Sequence, residues 1–195
     1  MSGRFRFIKS AAQLQECPLD RMPEIAVLGR SNAGKSSLIN AWTGSLLAKI
    51  SAKPGKTRLI NFFECKTYRL VDFPGYGYSA RSGKEQASWA GMIEPVLGAR
   101  VNLRAALILI DCRRDVAEEE RMLLAFLKHR GLPVAIVLTK TDKLNRSEAD
   151  KVKRASLSIT GVDHVALVSS QNKTGLAELE EFVFHNWIQS GELAR

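Results

Sequence analysis

Along the chain, short apolar runs alternate with amphipathic stretches. Residues 24–29 (EIAVLG) are an apolar run ending in glycine, and residues 35–42 follow with helical character. Residues 59–66 and 67–72 are rich in β-branched and aromatic side chains and predict two strands. Residues 105–111 (AALILID) and 133–139 (PVAIVLT) are continuous apolar runs, the pattern of strands buried on both faces; residues 165–169 are a shorter one. Residues 118–130 place Met122, Leu123, Phe126 and Leu127 on one helical stripe. Ser147, with Asp150 three residues later, predicts a capping box that opens another helix. Leu176, Leu179, Val183 and Trp187 form the apolar face of a last helix. Strands alternating with helices predict an α/β fold, a largely parallel sheet with helices on both faces. Residues 43–58 and 73–84, rich in Gly, Lys and Ser, are the two long loops, and long loops on a rigid sheet tend to carry function.

Composition narrows this reading. The chain has 195 residues, 45% hydrophobic and 25% charged, which suits one globular domain and excludes a disordered or fibrous chain. Its longest apolar run, residues 105–110, is six residues, whereas a membrane helix needs roughly 20. Cys17, Cys65 and Cys112 offer no zinc spacing and predict buried, reduced thiols in a cytoplasmic protein. His129, His164 and His185 are isolated from one another. The net charge of +9 lies wholly in the first part of the chain: residues 1–110 hold 16 basic and 7 acidic residues, and the rest hold 13 of each. No acidic residue occurs from Ile25 to Phe63. Such a field favours a polyanionic partner.

The candidate chemistry lies in the loops. Gly29-Arg30-Ser31-Asn32-Ala33-Gly34-Lys35-Ser36 is a full GxxxxGK[ST] phosphate loop between a strand and a helix. Glycines let the backbone wrap phosphates with N–H groups pointing inward, the helix N-terminus adds positive charge, Lys35 reaches the β- and γ-phosphates, and the Ser36 hydroxyl binds Mg²⁺. By itself the motif indicates a nucleoside triphosphate without naming the base. Asp72-Phe73-Pro74-Gly75 ends the second β-rich run, where the carboxylate can hold Mg²⁺ directly or through water and the Gly75 N–H can meet a γ-phosphate. Thr139-Lys140-Thr141-Asp142 names the base. An aspartate there accepts from the N1–H and exocyclic amine of guanine, and adenine lacks that donor pair. Ser169-Ser170-Gln171 follows the last strand and is read as backbone contact to the guanine carbonyl, with Ser169 supporting the loop. Thr57 is favoured over Thr43 and Thr67 as a switch threonine that completes the Mg²⁺ shell, because it borders the Pro54-Gly55 turn before a strand.

Together these motifs resemble the translation-factor-related GTPases, and GRSNAGKSS, KPGKTRLINFF, DFPGYGYS and TKTDK are closely similar to the EngB/YihA/YsxC family of bacterial ribosome-biogenesis GTPases. The resemblance runs from about residue 24 to about residue 187, with residues 1–23 as a short extension of a single domain covering 1–195. It implies a Ras-like P-loop GTPase fold, with six strands, one of them antiparallel. It also implies GTP, GDP and Mg²⁺ binding, and a role in maturing the large ribosomal subunit through ribosomal RNA and in normal division and septation. Gly55, Lys56, Thr57, Arg58 and Leu59 then match the family's first switch, with Ser36 and Thr57 as metal ligands. Tyr76 stands where many GTPases carry a water-orienting glutamine, so hydrolysis is expected to be slow. Asn32 matches an asparagine that holds K⁺ near the phosphates in potassium-activated relatives. A monomer with an RNA-facing surface beside the nucleotide site, including Lys49, Lys53, Lys56, Arg58, Arg81 and Lys84, is expected. A switch that binds a protein and no RNA is the alternative. A P-loop ATPase or nucleoside kinase is a third reading, which TKTD opposes.

Overall fold

The computed structural model describes residues 5–48, 59–77 and 83–189, with the backbone alone for 83–90. Gly55, Lys56, Thr57 and Arg58 therefore lie outside the described residues, as do Lys49, Lys53, Arg81 and the Lys84 side chain.

Seven strands form one sheet: β1 (Arg6–Ala11), β2 (Glu24–Gly29), β3 (Ile60–Glu64), β4 (Arg69–Asp72), β5 (Leu103–Asp111), β6 (Val134–Thr139) and β7 (His164–Val168). They lie in the order β1-β3-β4-β2-β5-β6-β7. β3 is antiparallel to both its neighbours, and the remaining pairings are parallel. The sheet thus has one antiparallel strand as expected, but seven strands rather than six. The added strand, β1, falls in the segment read as an extension. Its residues Arg6, Phe7 and Lys9 are exposed, so it carries no apolar run that would announce a strand.

The helices are α1 (Lys35–Thr43), α2 (Gly83–Ala99), α3 (Glu118–His129), α4 (Arg146–Thr160) and α5 (Leu176–Val183); a π-helical turn, Phe184–Gln189, continues α5. The continuous apolar strands are explained by two cores. In β5, Ala106, Ile108 and Ile110 enter one core with Ile93, Val96 and Leu97 of α2 and Leu124 and Leu127 of α3. Ala105, Leu107 and Leu109 enter the other, with Leu38, Ile39 and Trp42 of α1 and Leu176, Leu179 and Val183 of α5. Alternate side chains of one strand face opposite layers, so both sets must be apolar.

Local details correct the sequence reading. Met122 is 66% exposed, and Leu124 takes the inner position expected of it. The α4 cap lies two residues earlier than expected: the Asn145 side chain accepts from the Glu148 N–H at 3.0 Å, and Glu148 accepts from the Asn145 N–H at 2.9 Å. Asn is as good an N-cap as Ser, and its placement sets the helix start. Cys17, Cys65 and Cys112 are free and buried, as expected. Among the described residues no helix is long and apolar enough to cross a membrane.

At the opposite pole to the strand carboxyl ends, buried charges tie the chain together. The Arg69 guanidinium donates to Glu64 and Asp20 and lies 3.5 Å from Glu24. Arg100 pairs with Glu24 and donates to the Pro18 carbonyl at 2.9 Å.

Candidate nucleotide site

Five loops leave the sheet at the carboxyl ends of neighbouring parallel strands, where ligands bind in open α/β folds. Across the edge, the DFPG loop follows β4, the phosphate loop follows β2, Asp111 ends β5, TKTD follows β6 and the Ser169 loop follows β7.

The phosphate loop is held from below. A Cβ on Gly29 would stand 2.7 Å from the Leu109 carbonyl oxygen of β5, so only glycine lets the loop leave the sheet there. Asn32 is exposed and left-handed, at φ +66°. Ala33 is buried in the α1 core, and the Ala33 carbonyl accepts from the Thr139 hydroxyl at 2.7 Å. Lys35 Nζ donates to the Gly29 carbonyl at 3.0 Å, which folds the side chain over the loop it belongs to. Ser36 follows it in the first turn of α1.

The DFPG loop lies directly on the phosphate loop. The Ser31 N–H donates to the Tyr76 carbonyl at 2.9 Å, and Arg30 Nη2 donates to the Gly77 carbonyl at 3.1 Å. Gly75 is pressed so close that a Cβ would stand 2.9 Å from the Ser31 nitrogen and 3.0 Å from Lys35 Nζ. Phe73 and Pro74 are buried, with Phe73 in the core, so Phe73 offers the site only its backbone. Asp72 is buried, and its Oδ1 has no hydrogen-bond partner among the described residues. Burial pushes its carboxyl up to about 6, against the opposing pull of the Lys35 charge. A buried, unpaired carboxylate oxygen beside a phosphate loop fits Mg²⁺, which takes one or two protein oxygens and leaves its other positions to phosphate and water. Ser36 and Asp72 are the described residues that could hold it. The Tyr76 phenol is buried beside Glu120, and burial pushes its pKa up, with the Glu120 charge adding to the shift.

Beyond the phosphate loop, on the side of β6 and β7, lies a cleft of about 610 Å³. Gly34, Thr139, Lys140, Asp142, Ser170 and Gln171 from the sequence-derived set line it together. Ser169 Oγ donates to Asp142 Oδ1 at 2.7 Å, and this bond, with Lys143 nearby, holds the Asp142 carboxyl below the usual carboxylate range. Asp142 therefore stands ionised as an acceptor at neutral pH. Thr141 begins the short turn that carries it. Leu59 is described and partly exposed just before β3, apart from this lining, and the rest of the first switch lies outside the described residues.

Sequence reasoning missed several lining residues. Asn40 sits on the buried side of α1 and bridges both the N–H and the carbonyl of Ala48, at 2.7 and 2.9 Å. That bridge fixes a loop whose Leu46 is 89% exposed at the lip of the cleft. An asparagine within an apolar helical stripe was the available signal. Leu46 and Lys173 lie on loops with no pattern to mark them.

A family model described as the 50S ribosome-binding GTPase matches residues 24–140. A probable GTP-binding protein EngB of Bdellovibrio bacteriovorus is 46% identical over 97% of this chain and 95% of its own length. Its counterpart in Caldanaerobacter subterraneus is 43% identical over 89% of this chain and 91% of its own. In fold, a crystal structure of a probable GTP-binding protein engB superposes with a TM-score of 0.69 at 22% identity, covering 83% of this chain and 97% of that one. Era, solved with MgGDPNP and nucleotides 1506–1542 of 16S ribosomal RNA, superposes at 0.68 with 21% identity, over 87% of this chain and 58% of that one. With sequence likeness spanning nearly its whole length, this chain belongs to the EngB family within the 50S ribosome-binding GTPases.

Proposed function

We propose that this chain binds GTP and GDP with Mg²⁺, hydrolyses GTP slowly, and uses the bound nucleotide to control its contact with a large ribosomal subunit precursor in the cytoplasm. The observation that carries the nucleotide reading is the shared cleft. Gly34 of the phosphate loop, Lys140 and an ionised Asp142 line one cavity, with Lys35 folded over the adjoining loop. Asp142 supplies guanine selectivity. Lys35 and the loop N–H groups receive the phosphates, and Ser36, Asp72 and Thr57 hold the metal. The metal would offset charge on the phosphate oxygens. Gly29, Arg30, Ser31, Asn32, Ala33, Gly55, Lys56, Arg58, Phe73, Pro74, Gly75, Thr139, Thr141, Ser169, Ser170 and Gln171 complete the pocket through backbone and loop contacts, while Leu59, apart from the cleft lining, ends the first switch.

Slow turnover follows from Tyr76. A buried phenol beside Glu120 has no amide with which to orient water. Asn32, exposed on the phosphate loop, is the candidate K⁺ ligand; equal turnover in K⁺ and Na⁺ at one ionic strength would remove it. The ribosomal reading is supported by the family's description and by the basic excess of residues 1–110. Impaired division on depletion would follow from impaired subunit assembly. Co-sedimentation with ribosomal subunits tests it. The GTP-analogue form should travel with the large particle and the GDP form should not. Equal binding after charge reversal of Lys49, Lys53, Lys56, Arg58, Arg81 and Lys84 would contradict the placement of the RNA surface.

A further inference from the structure

Asp111 belongs to none of the five nucleotide motifs and does not line the cleft itself, yet it is bonded to Lys140, which does. It ends β5, between the phosphate-loop strand β2 and the base-side strand β6, in register with Thr139. Its side chain is only 7% exposed. Arg113 donates to Oδ1 from its backbone N–H at 3.1 Å and from Nε at 2.9 Å, and to Oδ2 from Nη2 at 2.7 Å. Lys140 Nζ donates to the same Oδ2 at 2.9 Å and to the Asn32 carbonyl of the phosphate loop, also at 2.9 Å. These cations hold the Asp111 carboxyl well below the usual carboxylate range, Arg113 more than Lys140.

Lys140 is anchored at both ends. Its backbone is left-handed, at φ +62°, and its carbonyl accepts from the Cys112 thiol at 3.3 Å. Its ammonium is gripped by Asp111 and Asn32. A free lysine stem samples many rotamers and makes a poor wall for a planar ligand; one pinned at its tip loses that freedom before the ligand arrives. Lys140 is one of the residues lining the cleft that also holds Asp142.

We infer that Asp111 is a positioning residue for the nucleoside. Its carboxylate fixes the Lys140 ammonium so that the stem stands as one wall of the base slot and braces the Asn32 carbonyl of the phosphate loop from the same point. This rests on the nucleotide reading above. A residue that only completes the strand end would satisfy Arg113 equally well, but its loss would not depend on Lys140.

A double-mutant cycle separates the two roles. GDP affinity is measured by calorimetry in Mg²⁺ buffer for the wild type, Asp111→Asn, Lys140→Met and the double variant. Asp111→Asn is expected to weaken GDP about tenfold when Lys140 is present. In the Lys140→Met background the same change should have less than about a twofold effect. Equal losses in both backgrounds, or no loss in either, would overturn the assignment. Asp111→Glu, which keeps the charge but displaces it, serves if the asparagine variant does not fold, and it should weaken GDP only where Lys140 remains. A wild type that does not bind GDP would overturn the nucleotide reading and this inference with it, whereas additive losses overturn the Asp111 assignment alone.

Discussion

At the residue scale, the short motifs are legible because each is a local string whose chemistry depends on its own backbone. Asp111 is not, since its link to the site runs through Lys140, 29 residues along the chain, and Asn40 shows only as a polar residue in an apolar helical stripe, with its partner Ala48 in the following loop. Two predictions belong here. Gly75→Ala places a methyl 2.9 Å from the Ser31 nitrogen and 3.0 Å from Lys35 Nζ. The DFPG loop can then no longer lie against the phosphate loop, so GTP turnover should fall at least about tenfold while GDP binding stays within about threefold, measured by phosphate release and calorimetry. Asp72, pushed up to about 6 by burial, sets the pH response expected of the proposed metal site. Mg²⁺ needs the ionised form, so the tightening of GTP-analogue binding by Mg²⁺ should be full at pH 8 and decline about tenfold for each pH unit well below 6, in calorimetry with and without the metal. The sign for folding is the reverse. A folded value above the ordinary 3.8 means that Asp72 favours the folded, metal-free protein below that ordinary value, and this contribution is lost as pH rises through about 6.

At the element scale, strands buried on both faces announced themselves, because two cores demand unbroken apolar runs in β2, β5 and β6. β1 did not, as a partly exposed edge strand has one core-facing side and needs little apolar sequence. α2 was also hidden, because Gly83, Gly91, Gly98 and Pro95 give it poor helix propensity, and its packing through Ile93, Val96 and Leu97 decides the matter instead. The ion network at the far pole joins β3, β4, β2 and the segment before β2. Removing its central cation leaves the buried Glu64 with only the exposed Arg6 and leaves Glu24 to Arg100 alone. Arg69→Met should therefore cost about 3 kcal/mol, the lower end expected for breaking a buried pair, in urea unfolding. Asp20 adds an acid limit. The Arg69 hydrogen bond lowers its carboxyl to about 2, so its contribution is present above pH 4 and is lost as pH falls toward 2, visible as a falling melting temperature over that interval.

At the scale of the whole molecule, the same sheet edge gathers Asp72, the phosphate loop and Asp142 in the order of the strands that carry them. The basic excess lies in the part of the chain that holds the phosphate loop and both long loops, so particle binding should weaken steeply with added salt while nucleotide affinity changes little. The account depends first on the identity of the base. Calorimetric titration of the protein with GDP and with ADP, repeated on Asp142→Ala, tests that directly. GDP should bind at least about a thousandfold more tightly than ADP, and the alanine variant should lose most of that difference. Comparable affinities for the two nucleotides, or a preference that survives the loss of Asp142, would contradict it.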